Sequence, residues 1–110
     1  ATQREHIHNL WGGILEWKAR AEQHLRDSGL DYVVLRPLGL RAGDAGERGI
    51  RLAQGDRFAF GEEVRRDDVA LLCVAALADP AASRCSFEAY NDDTLPPGSW
   101  VGTFGSLRPD

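Results

Sequence analysis

The sequence predicts an α/β fold with a small parallel sheet and two main helices. Three observations carry that prediction. A helix-period stretch opens at Ile14, the run Tyr32-Val33-Val34-Leu35 is apolar without alternation, and a second helix-then-strand unit occupies residues 66–90.

Each element has its own signal. Residues 1–13 are polar, end in Trp11-Gly12-Gly13 and read as an entry segment. From Ile14, the residues Ile14, Leu15, Lys18, Ala21, Glu22 and Leu25 fall on one face at helical spacing. Gly29, after Asp27-Ser28, supplies the left-handed C-cap. The strand at 32–35 stops at Arg36-Pro37, and its bulky, unalternating residues predict cover on both faces. Residues 38–49 read as a Gly-rich loop. Ile50-Arg51-Leu52-Ala53 and Arg57-Phe58-Ala59-Phe60, flanking Gln54-Gly55-Asp56, predict a β-hairpin insertion. Arg66-Asp67-Asp68 opens the second helix with acids where the macrodipole favours them. Val69, Leu72, Cys73, Ala76 and Leu77 are its expected apolar stripe, and Asp79-Pro80 ends it. Residues 85–90 form the next strand, which a crossover helix would place parallel to the first. The resulting organisation is an entry segment at 1–13, a half-domain at 14–92 and an irregular tail at 93–110. Two strands make a poor sheet by themselves.

Composition narrows the function classes. The chain has 110 residues, 43% of them hydrophobic and 27% charged, enough for one small domain with a modest core. Its net charge of -4, with basic residues scattered among acids, argues against a nucleic-acid partner. No apolar run approaches the roughly 20 residues of a membrane span, and residues 1–6 carry no signal-peptide segment. Cys73 and Cys85 do not make a disulfide framework, so the expectation is two reduced thiols in a cytoplasmic protein.

Three blocks together resemble the atypical short-chain dehydrogenase/reductases, closest to their NAD(P)-binding, NmrA-like subgroup. Residues 14–32, ending Leu25-Arg26-Asp27-Ser28-Gly29-Leu30-Asp31-Tyr32, are similar to the helix that carries that family's active-site Lys. Val33-Val34-Leu35-Arg36-Pro37-Leu38-Gly39-Leu40 is similar to its strand ending ILRPGGL. Val64-Arg65-Arg66-Asp67-Asp68-Val69-Ala70, then Phe87-Glu88-Ala89, is similar to its ISREDVA helix and FEL strand. The blocks stand in family order over residues 11–92. The resemblance implies the C-terminal half of a Rossmann-like fold, without the half whose Gly-rich turn holds the pyrophosphate. It implies NAD or NADP as the family's cofactor. It also implies Lys18, Arg36, Pro37, Leu38 and Gly39 as cofactor-binding positions, with the backbone after Pro37 near the nicotinamide amide.

The candidate constellations each have a plainer reading. Gly43-Asp44-Ala45-Gly46-Glu47-Arg48-Gly49 reads GxxGxxG, but no strand ends immediately before it and no helical period follows, so a flexible, solvated loop is expected. Lys18 sits on an otherwise apolar helix face, where a charge is costly unless paired or solvated. Besides a cofactor site, it has two bland explanations: snorkelling past the core, or pairing with Glu22. The family's Tyr four residues earlier is Ile14 here, which has no proton to give, so no catalytic residue is assigned. Arg36-Pro37 is either a ligand-facing strand end or a simple terminator. His6 and His8 alternate, with His24 elsewhere, but no third ligand accompanies them and no metal is expected. Arg65-Arg66 before Asp67-Asp68 is most simply a helix start.

Two functional expectations follow. One is a non-enzymatic module, a homodimer through its exposed sheet edge or the partner of a companion polypeptide carrying the missing half. The isolated chain then binds no nucleotide. The other is a subunit or fragment of an NAD(P)-dependent oxidoreductase or nucleotide sensor.

Overall fold

The computed structural model describes residues 14–110. The entry segment, with His6 and His8, lies outside the described residues. The chain divides into two compact units, Ala1–Tyr32 and Val33–Asp110.

In the first unit, α1 spans Ile14–Asp27. Pairs one turn apart line its surface: Glu16 with Arg20 at 2.6 Å, Glu22 with Arg26 at 3.3 Å and Gln23 with Asp27 at 2.9 Å. Placing Glu N-terminal to Arg is the favourable order along the helix dipole. The helix ends as expected. Gly29 has φ +78°, Ser28 donates through its N–H and its hydroxyl to the Leu25 carbonyl, and Leu30 N–H returns to Ser28 Oγ. No residue of α1 is buried; Leu15, Ala19, Glu22, Leu25 and Arg26 are its half-buried residues.

The second unit is built on β1 (Val33–Pro37), β2 (Gly39–Arg41), β3 (Ile50–Ala53), β4 (Glu63–Arg65), α2 (Arg66–Ala78) and β5 (Cys85–Asn91). The main sheet has the order β1-β5-β3. β1 runs parallel to β5, with Val33 opposite Cys85 and Pro37 opposite Ala89. β3 runs antiparallel to β5, with Ile50 opposite Asn91. The sheet is therefore mixed rather than parallel throughout. β2, inside the stretch expected to be loop, and β4, just before the second helix, form a separate two-stranded parallel sheet.

The expected hairpin does not form. Gly55 and Asp56 do take the consecutive positive φ values of a tight turn, +75° and +59°. Residues 57–60 nevertheless leave the ladder, and β3 pairs with the central strand instead. There its Ile50 and Leu52 join Phe87 and Ala89 in the core. An arm of Phe58 and Phe60 would not gain that burial, and Phe60 remains exposed.

α2 packs against the sheet through Leu72 and Ala76, whereas Leu77 is 84% exposed and Cys73 is also exposed. The predicted stripe was only partly correct because the helix is apolar all round from Val69 to Ala78, leaving periodicity no face to choose. β1 is half-buried from Val33 to Arg36, less covered than its composition suggests.

The tail is not loose. Trp100 and Phe104 enter the core, with Phe104 stacked at a tilt 5.8 Å from Phe87 and 6.1 Å from Trp100. Beyond them the chain runs beside the start of β5: Pro109 bridges Cys85, Asp110 N–H donates to the Arg84 carbonyl at 2.7 Å, and Ser86 Oγ donates to Asp110 at 2.6 Å. The Gln54 amide exchanges two 3.0 Å hydrogen bonds with the Arg108 backbone, joining the end of β3 to this segment. Irregular backbone next to a sheet must find such partners, because unpaired buried peptide groups are expensive.

Candidate functional site

In open α/β sheets ligands meet the C-terminal ends of parallel strands. Here that end is residues 36–39, leaving β1 beside β5. Arg36 stands opposite Glu88 in the parallel register, with Nη1 3.8 Å from Oε2. Glu88 is 1% exposed. Its Oε1 accepts from the Asp56 N–H, and its Oε2 is the one buried side-chain oxygen without a hydrogen bond among the described residues. Burial pushes the carboxyl upward from the usual range, opposed by the Asp56 N–H and the Arg36 charge. After Pro37 the backbone N–H groups are already engaged, Leu38 with the Ala89 carbonyl at 3.2 Å and Gly39 with the Glu62 carbonyl at 3.1 Å. Gly39 fits closely there: a Cβ would lie 3.3 Å from Glu63 Cγ.

Residues 54–62 thus form a strap pinned twice beside the strand end, at Asp56 by Glu88 and at Glu62 by Gly39. Positions 36–39 are brought together by simple adjacency. Lys18 belongs to the first unit, on an exposed part of α1 rather than on a buried apolar face. Its expected partner Glu22 is engaged by Arg26.

The loop at 43–49 leads from β2 to β3, with no helix opening in it, so it has not the form of a phosphate-binding turn. It is also not a freely solvated loop. Asp68, fully buried in the first turn of α2, accepts from Gly46 N–H at 3.0 Å and from Asn91 Nδ2 at 2.9 Å. Asn91 accepts from Arg65 N–H at 2.9 Å and donates to the Gly49 carbonyl at 3.2 Å. Arg65 reaches Glu47 at 2.7 Å, and Arg48 grips both oxygens of Asp93 at 2.8 and 3.0 Å. This hub ties the loop, α2 and the end of β5 together.

Asp92, bonded by the Thr94 hydroxyl, Arg51 and the Thr94 N–H, is held at about 2. Among the described residues no group of His, Cys, Asp and Glu is arranged to hold a metal. The sequence reading missed Glu88, Asp68 and Asn91. One signal was available, since an acid in the mostly apolar strand Cys85-Ser86-Phe87-Glu88-Ala89-Tyr90 is a polar group that needs partners if buried.

A family model described as NAD(P)H-binding matches residues 2–80. The chain belongs to this NAD(P)H-binding family. An uncharacterized chloroplastic protein of Arabidopsis thaliana is 36% identical over 92 residues, covering 82% of this chain and 27% of its own. Sanguinarine reductase of Eschscholzia californica is 43% identical over 68 residues, covering 60% of this chain and 25% of its own. Protein TIC 62, chloroplastic, of Pisum sativum is 34% identical over 94 residues, covering 83% and 17%. The chain therefore spans about a quarter or less of the length of these relatives. Within the NAD(P)H-binding family, the helix–strand junction, the Arg36-Pro37 strand end and the Arg65-Arg66-Asp67-Asp68 helix start all lie in the matched stretch.

Proposed function

We propose that this chain is a Rossmann-like half of an NAD(P)H-binding fold that completes its sheet across the open edge of β1, and that by itself it neither grips the dinucleotide nor catalyses a reaction. The observation that carries the reading is the strand order β1-β5-β3, which leaves β1 outermost among the described residues. An outer strand of Val33, Val34 and Leu35 carries backbone groups that want a partner beside apolar surface that wants cover. A second copy pairing edge to edge would close a two-fold sheet. A companion polypeptide offering a strand is the other way to satisfy the same edge. The form of the 43–49 loop supports the lack of nucleotide affinity, because it offers no helix N-terminus to a pyrophosphate.

Sedimentation equilibrium of the purified chain over a wide concentration range tests the association. A two-fold assembly is expected, and a folded 12.1 kDa monomer at micromolar concentration would refute it. Calorimetric titration with NADH and NADPH should show no saturable heat, and clear saturation would refute that part of the reading. A second reading, a portion of an NAD(P)H-dependent reductase, is favoured by the relative named sanguinarine reductase. It gains if nucleotide binding appears and Lys18→Ala weakens it.

A further inference from the structure

Glu88 lies on the sheet face opposite the core. Side chains alternate along a strand, so Ser86, Glu88 and Tyr90 turn away from the side on which Phe87 and Ala89 join the core. The register sets Arg36 of β1 on one flank of Glu88 and Ala53 of β3 on the other. The strap at 54–62 meets the sheet at this point. Its first residue is anchored: the Gln54 amide donates to the Ser86 carbonyl at 3.1 Å and exchanges two 3.0 Å hydrogen bonds with the Arg108 backbone. Its last is anchored through the Glu62 carbonyl to Gly39 N–H at 3.1 Å. Between the anchors, Gly55 and Asp56 turn through positive φ and Asp56 N–H donates to Glu88 Oε1, while Gly61, at φ +93°, makes the turn at the other end.

This is a poor resting place for a negative charge. Glu88 is 1% exposed, and its Oε2 accepts no hydrogen bond. The charges that face it from the strands and the strap are Arg36, whose Nη1 stays 3.8 Å from Oε2, and the Asp56 carboxylate, which repels it. Arg51, two residues along β3 from Ala53, is committed through Nε to Asp92 at 2.7 Å. On β5 itself, Ser86 donates to Asp110, and burial pushes the Tyr90 hydroxyl above its ordinary value, so it stays neutral. The cover is nevertheless thin. Gly55, Asp56 and Arg57 are exposed, although Asp56 N–H touches the buried carboxyl. One thickness of backbone therefore separates Glu88 from water there, and lifting that turn hydrates it.

We propose that the strap is a proton-controlled lid beside the C-terminal end of β1, with Glu88 as its latch: closed while Glu88 carries a proton, and lifted at Asp56 when Glu88 ionises. A neutral carboxyl can stay buried and still accept from Asp56 N–H through one oxygen. An ionised one grips that N–H more tightly, but it leaves Oε2 charged, buried and unpartnered. Burial is the stronger effect, since the carboxyl is pushed upward against both the Asp56 N–H and the Arg36 charge. Linkage then fixes the sign. The closed strap, which holds the proton more tightly than a hydrated Glu88 does, is fully favoured below the ordinary carboxylate range. It loses ground as pH rises towards the raised closed-state value and changes no further above it. Opening bares the carboxylate next to Arg36 and residues 36–39, and the device does not depend on how the edge of β1 is completed.

The test is hydrogen exchange of the nitrogen-15-labelled full chain, read at the Asp56 amide across pH and corrected for intrinsic base catalysis. The opening constant should be flat in acid, rise by up to about tenfold per pH unit above the ordinary carboxylate range, then level off. Leu72, buried in α2, should exchange more slowly throughout, because its release needs the whole fold to open. Glu88→Gln should give a flat profile at the closed level. Two further substitutions should move the step in opposite directions. Arg36→Gln removes a charge that favours ionisation and carries the rise to higher pH, whereas Asp56→Asn removes one that opposes it and ends the rise at lower pH. Asn keeps the N–H and tolerates positive φ, so the turn itself survives. Protection at Asp56 that is constant or tightens with pH would overturn the inference, because the ionised Glu88 would then pair with Arg36 and hold the strap down. So would a step that persists in Glu88→Gln, shifts of the wrong sign in the other two variants, or exchange at Asp56 no faster than at Leu72.

Discussion

Replacing Asp68 with Ala removes the centre of the hub that joins the 43–49 loop, α2 and β5. Two donors lose their acceptor, Gly46 N–H at 3.0 Å and Asn91 Nδ2 at 2.9 Å. A hydrogen bond to a charged group contributes about 1.5–3 kcal/mol, and the two share one acceptor, so their losses do not simply add. Asn91 keeps its bond to the Gly49 carbonyl, which limits the damage. The expected cost is about 3–5 kcal/mol, a large part of the 5–15 kcal/mol typical of a domain. Asp68→Asn keeps the shape and one carbonyl oxygen, satisfying one donor and opposing the other, for about 1–3 kcal/mol. Asp67→Ala is the control. Asp67 is an exposed acid in the same helical turn, so it reports the macrodipole contribution alone, about 0.3–1 kcal/mol. Urea denaturation followed by tryptophan fluorescence gives the three stabilities. Hydrogen exchange at Gly46 and Arg65 should accelerate in Asp68→Ala. If Asp68→Ala costs no more than Asp67→Ala, Asp68 is merely a helix-start acid and the hub reasoning fails.

The remaining predictions concern Glu88 and Gly49. Because the folded-state pKa of Glu88 is raised, the carboxyl costs nothing below the ordinary Glu value, and stability is lost as pH rises through its folded pKa. Glu88→Gln should therefore be more stable than wild type at neutral pH, by on the order of 1 kcal/mol, and should flatten that fall. Denaturation across the pH range checks this, and a less stable Gln variant at neutral pH would mean that Arg36 more than offsets the burial. A Cβ on Gly49 would lie 2.5 Å from the Asp92 carbonyl oxygen and against that of Leu95, whereas one on Gly105 would meet nothing within 4 Å. Gly49→Ala should cost about 1–3 kcal/mol and Gly105→Ala little, and equal melting temperatures would contradict the close approach.

Much of this protein was determined locally. The first helix and its Gly29 cap, the strand ending at Arg36-Pro37, the α2 start at Arg66 and the β5 strand follow from periodicity, capping and β-branching, which act within a few residues. The family could be read for the same reason, since its blocks are short contiguous stretches. Tertiary structure decided what depends on competition between distant partners. Residues 50–53 look like one arm of a hairpin, but β5 offers them Phe87 and Ala89, a better apolar match than residues 57–60. The tail looks irregular because Trp100 and Phe104 are single apolar anchors with no period, yet each fills the core against Phe87 or its neighbour. The polar hub was hidden because Gly46, Asp68 and Asn91 lie 22 and 23 residues apart along the chain. Each alone reads as a loop glycine, a helix-start acid and a strand-end amide. Only burial at a shared point, where an unpaired polar group costs several kcal/mol, turns them into one structure.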